Sequence, residues 1–569
     1  MTMNRYVRRC TLGTLAGLVS SVVLAVALGN GLLGVVLGTA AGLAYGLAVG
    51  QRSGGYIDRG MAAAVLAVPL WAAVSVILLP LTADEEPYWT AEGMRLTFPA
   101  FVGWVLYSLC LGLVARALSD FTTAIFGPEP QPAALPPAVR THIVILGGGF
   151  AGVTTATHLE RAFGTDPSVS LTLVSETNAL LFTPMLAEVA GGSLEAAHIS
   201  SPLRTSLRRT AVIRGRVTEI DLERRRVRLA PGPRVPMPPA DTRKRGEEFS
   251  YDHLVLALGA VSSYVGMSDV GVWAFEFKSL ADAIRIRNQV IDLFERADSE
   301  PDPDVRGPML TFVVAGGGFA GAELAGALND FTRGMLAYYP NIPPDEVKVV
   351  LVHSRGRILP ELSGPLAAYA LRQMAARGVT FKLNTRVRGA REGVVQLLPD
   401  EEIRTRTLVW TAGTAPHPLL QTLPVPRDQR GGVIVDPTLA VPSCEGVWAL
   451  GDCAAIPHGP GGATCPPTAQ FAVREAALLA GNIRARLRGR PPKAFHFQSL
   501  GSLCVVGYHT ACAEIKGLRF SGLFAWLLWR AIYLSKLPGF ERKARVLVDW
   551  LLELFFPRDT VQTLDLDDH

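Results

Sequence analysis

The chain has 569 residues, of which 49% are hydrophobic and only 18% charged, against roughly 25% charged in an average soluble domain; its mean hydropathy is +0.27. At roughly 150 residues per domain the length carries three or four units with sizeable cores, which excludes disorder and a disulfide-stapled mini-fold. The 55 Lys and Arg against 50 Asp and Glu show no long basic run, too weak a footprint for a nucleic-acid partner. The 7 cysteines (Cys10, Cys110, Cys444, Cys453, Cys465, Cys504 and Cys512) contain no C-x-x-C, so no disulfide framework or metal site is expected and a reducing compartment suits them.

The apolar excess lies before about residue 118. No charge occurs from Thr11 to Gly50, and Gly29-Asn30-Gly31 divides that run into two segments, each near the twenty residues that a helix needs to cross a bilayer. Further candidates at 61–82 and 96–115 give four expected transmembrane helices within residues 1–120. Arg5, Arg8, Arg9, Arg52 and Arg59 flank the ends assigned inside, whereas Asp84, Glu85, Glu86 and Glu92 fill the third connection. The positive-inside rule then puts everything after Arg116 on the cytoplasmic face of the cell (inner) membrane. A cleavable signal peptide ending at Ala25-Val26-Ala27 is the weaker reading, since it leaves the later spans unexplained. Gly34, Gly38, Gly42, Gly46 and Gly50 recur every fourth residue and predict close packing, within a hairpin or in a homo-oligomer. With no ionisable residue inside the expected spans, the bundle reads as an anchor rather than a pump.

A proline-rich linker, 121–140, precedes the soluble part. There IVIL, Gly147-x-Gly149-x-x-Gly152 and TTATHLER read as strand, turn and helix. The first glycine permits the turn, the second admits a pyrophosphate to the backbone, and the third lets helix and strand touch. Glu176, 24 residues past Gly152, suits the ribose diol of an adenosine. A second copy, TFVVAGGGFAGAELAGAL, carries Gly316-x-Gly318-x-x-Gly321 and repeats the hexapeptide GGGFAG. The repeat predicts two bound dinucleotides. After the second copy His353 stands where an acid would recognise an unphosphorylated ribose, with Arg355 and Arg357 beyond it; NADH and NADPH both stay open.

Near the end of the soluble part, VWALGDCAA places Gly451 and Asp452 after a strand, where a carboxylate can meet a ribitol hydroxyl of FAD. Together with the turns at Gly259 and Gly413, this resembles the two-dinucleotide-binding flavoprotein superfamily. The segments LLFTPMLAEVAGG (181–193), ELAG from Glu323, RILPEL (357–362), PPTAQFAVREA (466–476) and the tail FSGLFAWLLWRAIYLSKLPGFERKARVLVDW resemble the type II NADH dehydrogenases, single-subunit and non-pumping. The resemblance covers about residues 141–556 and implies an α/β fold with two Rossmann-like domains: an FAD domain in two parts (141–304 and 425–490), an inserted NAD(P) domain (305–424) and a membrane-associating region (491–569). It implies FAD contacts at Gly147, Gly149, Phe150, Ala151, Gly152, Glu176, Thr183, Val217, Gly259, Gly451, Asp452 and Ala469. NAD(P)H contacts are implied at Gly316, Gly318, Phe319, Ala320, Gly321, Glu323, His353 and Gly413. Pro184 is placed beside Thr183 at the flavin, and Gln470 and Arg474 at the quinone. Two departures stand out: Arg474 replaces a second glutamine, and Leu500-Gly501 replaces a lysine-glycine pair.

The expected chemistry is two-electron transfer from NADH through FAD to a membrane quinone, with Glu323 positioning nicotinamide or supplying protons and Gln470 bonding a quinone carbonyl. The alternatives are a flavin-based membrane redox sensor, a ferredoxin-type reductase, or a sulfide:quinone oxidoreductase using Cys453 and Cys465. A disulfide reductase is set aside for want of its cysteine motif. The tail predicts two interfacial helices, Ser521–Lys536 and Glu541–Phe556. In the second, Arg542, Arg545, Asp549 and Glu553 form the polar face and Val546, Leu547, Trp550, Leu551, Leu554 and Phe555 the apolar one. Trp526, Trp529, Tyr533 and Trp550 are expected at the headgroup level, with Lys536, Arg542, Lys543 and Arg545 meeting anionic lipid. A homo-oligomer interface is the other use for these helices.

Overall fold

The computed structural model describes residues 5–49, 56–83, 87–88, 95–126, 139–230, 248–459 and 463–562. The chain divides into two compact units, Met1–Leu135 and Pro136–His569. The charges that orient the expected spans at Arg52, Asp84, Glu85, Glu86 and Glu92, and the linker between 127 and 138, lie outside the described residues.

In the first unit, helices Arg5–Ala27 and Gly31–Val49 form a hairpin, turning where Gly29 takes φ +63° and Asn30 Oδ1 accepts from Leu33 N at 3.1 Å. The glycine stripe is spent inside this hairpin. A Cβ on Gly42 would lie 2.5 Å from Gly13 O, one on Gly17 2.6 Å from Gly38 O, and one on Gly34 2.3 Å from Ala25 Cα. The third apolar segment is interrupted, running through Tyr56–Ala64, Ala67–Trp71, a π-helical Ala72–Leu78 and Leu79–Thr82. Pro80 brings no N–H to Val76 O, and Tyr88 N fills that place at 3.0 Å. The last helix, Phe98–Phe126, packs on the others through Trp104 Nε1 donating to Ser75 Oγ (3.1 Å) and the Tyr107 hydroxyl donating to Gly38 O (2.5 Å).

Three of these segments are long and apolar enough to cross a membrane: Cys10–Ala27, Arg59–Thr82 and Phe98–Thr122. Gly31–Leu47 is apolar but shorter, so the expectation of four full-length spans is met by three. The spans also reach further than the sequence reading put them. The third begins at buried Arg59, and the last contains Arg116 and Asp120, which pair at 2.9 Å one helical turn apart.

The second unit repeats one design. A five-stranded sheet has the order Val447–Ala449, His253–Leu256, Thr141–Leu146, Val169–Ser175, Ala211–Arg214, every neighbouring pair parallel. A second has the order Ala274–Glu276, Thr407–Trp410, Thr311–Ala315, Lys348–Val352, Val379–Lys382, again parallel. Each central strand is fully buried beyond its first residues (Ile143, Ile145, Phe312, Val314), as sheets covered by helices on both faces require. The chain leaves the first sheet after Leu256 and returns to it at Val447, having built the second in between. Strands Ala260–Ser262 and Thr414–Pro416 pair antiparallel.

A meander, Gly501–Val505, Ala511–Ile515 and Leu518–Ser521, leads into helices Gly522–Lys536 and Phe540–Leu552. Their faces differ from expectation. Trp526, Trp529 and Trp550 are 5%, 1% and 4% exposed, inside the protein rather than at a headgroup boundary, and Tyr533 is half-buried against Trp529. Asp549 and Glu553 of the expected polar face also turn inward: Asp549 bonds His198 at 2.6 Å, and Glu553 pairs with Arg530 at 2.8 Å and Arg558 at 3.0 Å. What stays outside is apolar: Leu523, Phe524, Leu527, Leu547, Leu551, Leu554 and Phe555. An exposed apolar face flanked by Lys536 and Arg545 suits a membrane surface.

Because Gly42 is hemmed in by backbone atoms of Gly13 and Gly17, Gly42→Val should destabilise the hairpin by about 2 kcal/mol or more. Gly31→Ala, with nothing within 4 Å of its added methyl, should leave it intact. Thermal denaturation of the full-length protein in detergent measures both.

Candidate functional site

The two glycine turns are superimposable in their logic. Gly147 and Gly316 take φ of +114° and +118°, open only to glycine at no steric cost. A Cβ on Gly152 would sit 1.9 Å from Gly147 O, and one on Gly321 1.8 Å from Gly316 O. The middle glycines differ in kind. Gly149 and Gly318 have φ of −82° and −77°, which any residue adopts; among the described residues no atom lies within 4 Å of a Cβ on Gly149, and one on Gly318 would meet only Glu361 Oε1, at 3.5 Å. Each is the N-cap of a helix, Phe150–Ala162 or Phe319–Met335, with no side-chain cap and no acid in the first turn. The backbone N–H groups and positive helix ends therefore face a cradle that a side chain would fill, the requirement for a pyrophosphate.

Around the first turn the structure gathers several candidates. Gly451, at φ +71°, rests against Ala151, where a Cβ would come within 3.1 Å of Ala151 Cβ. Its N–H donates to buried Glu475 Oε2 at 2.8 Å, and burial pushes the Glu475 carboxyl up to about 7. Burial also raises the neighbouring Asp452 carboxyl, against the charges of Lys278 and Arg430. Lys278, its own ammonium held down by burial, is fixed by the Ser279–Asp282 capping box that starts the next helix. Phe150 meets Phe182 edge-on at 5.8 Å, next to the 3-10 turn Thr183–Met185 that carries Thr183 and Pro184. Ala469 opens the helix Ala469–Leu487, and Val217 begins a strand of the adjoining antiparallel sheet. Glu176 is exposed and paired with Arg216 at 3.2 Å.

The second turn has a register that the sequence reading missed. Gly147 N donates to Val174 O and Gly316 N to Val352 O, both at 2.8 Å, so Val352 answers to Val174, His353 to Ser175 and Ser354 to Glu176. His353 instead sits under the turn, its Nδ1 accepting from Gly317 N at 3.0 Å. By this register Ser354, not His353, is the counterpart of Glu176. Phe319 and Ala320 open the helix after Gly318. Gly259 and Gly413, far apart in sequence, adjoin the paired strands, with Ser263 N donating to Gly413 O (3.0 Å) and His417 N to Gly259 O (3.2 Å).

Glu323, Gln470 and Arg474 do not form one cluster; the strand Gly501–Val505 separates them. At one end Gln470 Nε2 donates to Ser499 Oγ (3.2 Å) and Gly501 O (3.3 Å), while its Oε1 accepts from Leu500 N (2.9 Å). Arg474 donates to Gln470 O at 2.8 Å and lies over the Phe497 ring at 4.1 Å. At the other end Glu323 Oε1 accepts from Val505 N at 3.3 Å, and burial pushes its carboxyl up to about 8. Glu323 lines a small cavity with Glu188, Trp529 and Arg530. Of these, Glu188 was visible only as the single acid in the run LLFTPMLAEVAGG; Lys278, Glu475 and Arg530 gave no distinguishing signal.

Residues 141–476 match the pyridine nucleotide-disulphide oxidoreductase family and residues 499–559 the NDH2 C-terminal domain. The chain is 31% identical over 446 residues to the type II NADH:quinone oxidoreductase Ndh of Mycobacterium tuberculosis, covering 76% of this chain and 91% of that one. This chain belongs to the type II NADH:quinone oxidoreductases. Its identity to NdhA of the same organism is 32% over 428 residues, with 72% of this chain and 86% of the relative covered. The fold of this type II enzyme resembles that of NDH2 from Plasmodium falciparum in complex with NADH (TM-score 0.67, 18% identity, 74% of this chain and 100% of that one). It is also similar to the sulfide:quinone oxidoreductase of Aquifex aeolicus (TM-score 0.53, 19% identity, 73% and 96%). Residues before Thr141 lie outside both family matches. FAD and NADH are the cofactors of this enzyme family, and the two glycine cradles, the second with the Glu361 carboxylate at its edge, fit such dinucleotides.

The glycines predict separable failures. Gly149→Val, entering open space, should abolish FAD retention while preserving the melting temperature of the apoprotein. Gly152→Val, driven into Gly147 O, should lower that melting temperature as well. Flavin absorbance and thermal denaturation of the two variants check this.

Proposed function

We propose that the Gly147–Gly152 turn holds FAD and the Gly316–Gly321 turn holds NADH, in an FAD domain that is interrupted by the NADH domain. The protein is a membrane-associated flavoprotein that oxidises NADH and transfers electrons through FAD to quinone without pumping protons. Bound FAD supplies the ring that accepts hydride and passes on electrons. The protein's part is to orient and shield. Helix N-termini beyond Gly149 and Gly318 would face the pyrophosphates, half-buried Asp452 would accept from the ribityl chain with Lys278 as its counter-charge, and Glu475 fixes the Gly451 backbone. Glu323, a buried carboxyl raised to about 8, would hold a proton for the reduction. Gln470, whose amide is engaged by Ser499, Leu500 and Gly501, holds that loop as one wall of the acceptor site, and Arg474 stiffens it through Phe497. The observation that carries this reading is the duplicated glycine turn with an uncapped helix N-terminus, in a chain whose sequence matches the family across both turns.

Two finer assignments belong with it. Gly31–Val49 crosses the membrane as a fourth, short span, and the basic residues Arg5, Arg8, Arg9, Arg52 and Arg59 keep the catalytic unit on the cytoplasmic side. Serine at 354, followed by Arg355, removes the charge that repels a 2′-phosphate, so the enzyme accepts NADPH beside NADH. Against the sulfide alternative stand the buried thiols of Cys453 and Cys465, pushed up to about 11 and about 12 by burial, since attack requires a thiolate.

Stopped-flow absorbance tests the main reading. NADH should bleach the bound flavin rapidly and a short-chain quinone should restore it; bleaching without quinone-dependent return favours the redox sensor. Ser354→Glu should lower kcat/KM for NADPH by roughly ten-fold or more and spare that for NADH, which steady-state kinetics with both donors decides.

A further inference from the structure

Reduction of quinone by NADH needs a proton that NADH does not provide. In NADH + H⁺ + quinone → NAD⁺ + quinol, the nicotinamide loses a hydride, which is two electrons and one proton, and the quinone gains two electrons and two protons. The second proton comes from water and must reach a site built to exclude water. Glu323 and Glu188 face one small cavity of about 30 Å³, closed by Trp526, Trp529 and Val505, room for a water molecule or two. Four of its lining residues, Asp330, Tyr508, Glu553 and Arg558, also line a larger cavity of about 380 Å³ bounded by Arg333, Tyr338 and Phe556.

We propose that Glu188 and Glu323 form a proton relay, fed from the larger cavity past Asp330, that delivers the second proton to the acceptor. The inference rests on the quinone-reductase reading above. The charged groups around the relay are unequally matched. Arg530 is committed to Glu553 at 2.8 Å and stacks on Trp526 at 3.8 Å, leaving Glu188 at 3.8 Å from it. Arg558 is likewise committed to Glu553, at 3.0 Å. Glu188 keeps a bond from Trp550 Nε1 at 3.2 Å, and Glu323 one from Val505 N at 3.3 Å. The Tyr533 and Cys504 side chains beside Glu323 are themselves pushed up by burial and by its charge. Burial outweighs the nearby cations, pushing Glu188 up to about 7 and Glu323 to about 8. Both therefore hold exchangeable protons near neutral pH. Asp330, raised by burial and opposed by Arg377 and Arg558, stands at the junction.

Glu188→Gln tests this in the holoenzyme, since Arg530 retains Glu553. Turnover of NADH is measured from about pH 6 to about pH 9 with a short-chain quinone, which needs protons, and with ferricyanide, which takes electrons alone. The expected result is a loss of roughly ten-fold in quinone turnover at alkaline pH, smaller at acid pH, with ferricyanide turnover within about two-fold of wild type. Asp330→Asn should give the same split. Infrared titration of the resting protein supplies a readout apart from turnover: a protonated-carboxyl band that disappears between pH 7 and 8 in the wild type should weaken in Glu188→Gln. Equal losses with both acceptors, no loss with quinone at any pH, or an unchanged infrared band overturns the relay. Wild-type protein that reduces ferricyanide but never quinone overturns the functional reading itself.

Discussion

The structure turns on a contact that leaves no room for a side chain. Gly152 lies so close to the carbonyl of Gly147, and Gly321 to that of Gly316, that a Cβ would sit 1.9 and 1.8 Å from the oxygen. This closeness places each helix directly after its strand, with its free N–H groups at the carboxyl edge of a parallel sheet, where ligands of α/β folds bind. Because the contact occurs twice, the chain owns two anion cradles. The pairing of Ala260–Ser262 with Thr414–Pro416 then joins the segments that follow Gly259 and Gly413, although more than 150 residues separate the two glycines. A relaxed turn at either glycine would shift a helix end by ångströms, and a ring-to-ring hydride transfer has no tolerance for that.

What could be read from the sequence was whatever depends on local sterics. The glycine spacing, the strand before it and the helix after it are properties of a dozen residues, so both turns, Asp452 after its strand and the apolar N-terminal segments were legible. Long-range packing was not. His353 was set beside Glu176 from its place after a strand, but a strand end is defined only by its neighbour's register, and the Val352 to Gly316 bond makes Ser354 the counterpart of Glu176. Lys278 and Glu475 gave no signal, since a charge that is to be buried looks in sequence like one left in solvent. The C-terminal helices show the converse: their tryptophans and acids were assigned outward from amphipathic spacing alone, and the partners that draw them inward, His198, Arg530 and Arg558, come from other elements or from beyond the helix end.

That inversion has an energetic basis. An acid is costly to bury unless paired, and Glu553 has two guanidiniums to itself, while Arg530 gains the faces of Trp526 and Trp550 at 3.8 and 4.7 Å. Such a cluster is weak as a source of net stability but strong in specifying where the helices dock. With those groups satisfied inside, the helices expose Leu523, Phe524, Leu527, Leu547, Leu551 and Phe555 between the charges of Lys536, Glu541 and Arg545. So large an exposed apolar face marks an interaction surface, and a bilayer surface suits it.

The same arrangement explains why two acids remain protonated beside a cluster of arginines. Arg530 and Arg558 each form their closest ion pair with Glu553, so Glu188 has Arg530 at 3.8 Å, and Glu323 is met by the Val505 N–H and the Trp529 indole rather than by a cation. Desolvation then dominates for both. Stabilisation from a carboxyl raised this way is complete below its unfolded value of about 4.5 and declines as the pH rises toward 7 for Glu188 and 8 for Glu323, because the ionised form is the one the site disfavours. The fold therefore gives up stability at neutral pH at these two positions. A structural role offers no return for that cost, since glutamine fills the same volume without titrating. A carboxyl that must release and regain a proton at each turnover does need a pKa near ambient pH, and burial without a close counter-ion sets it there.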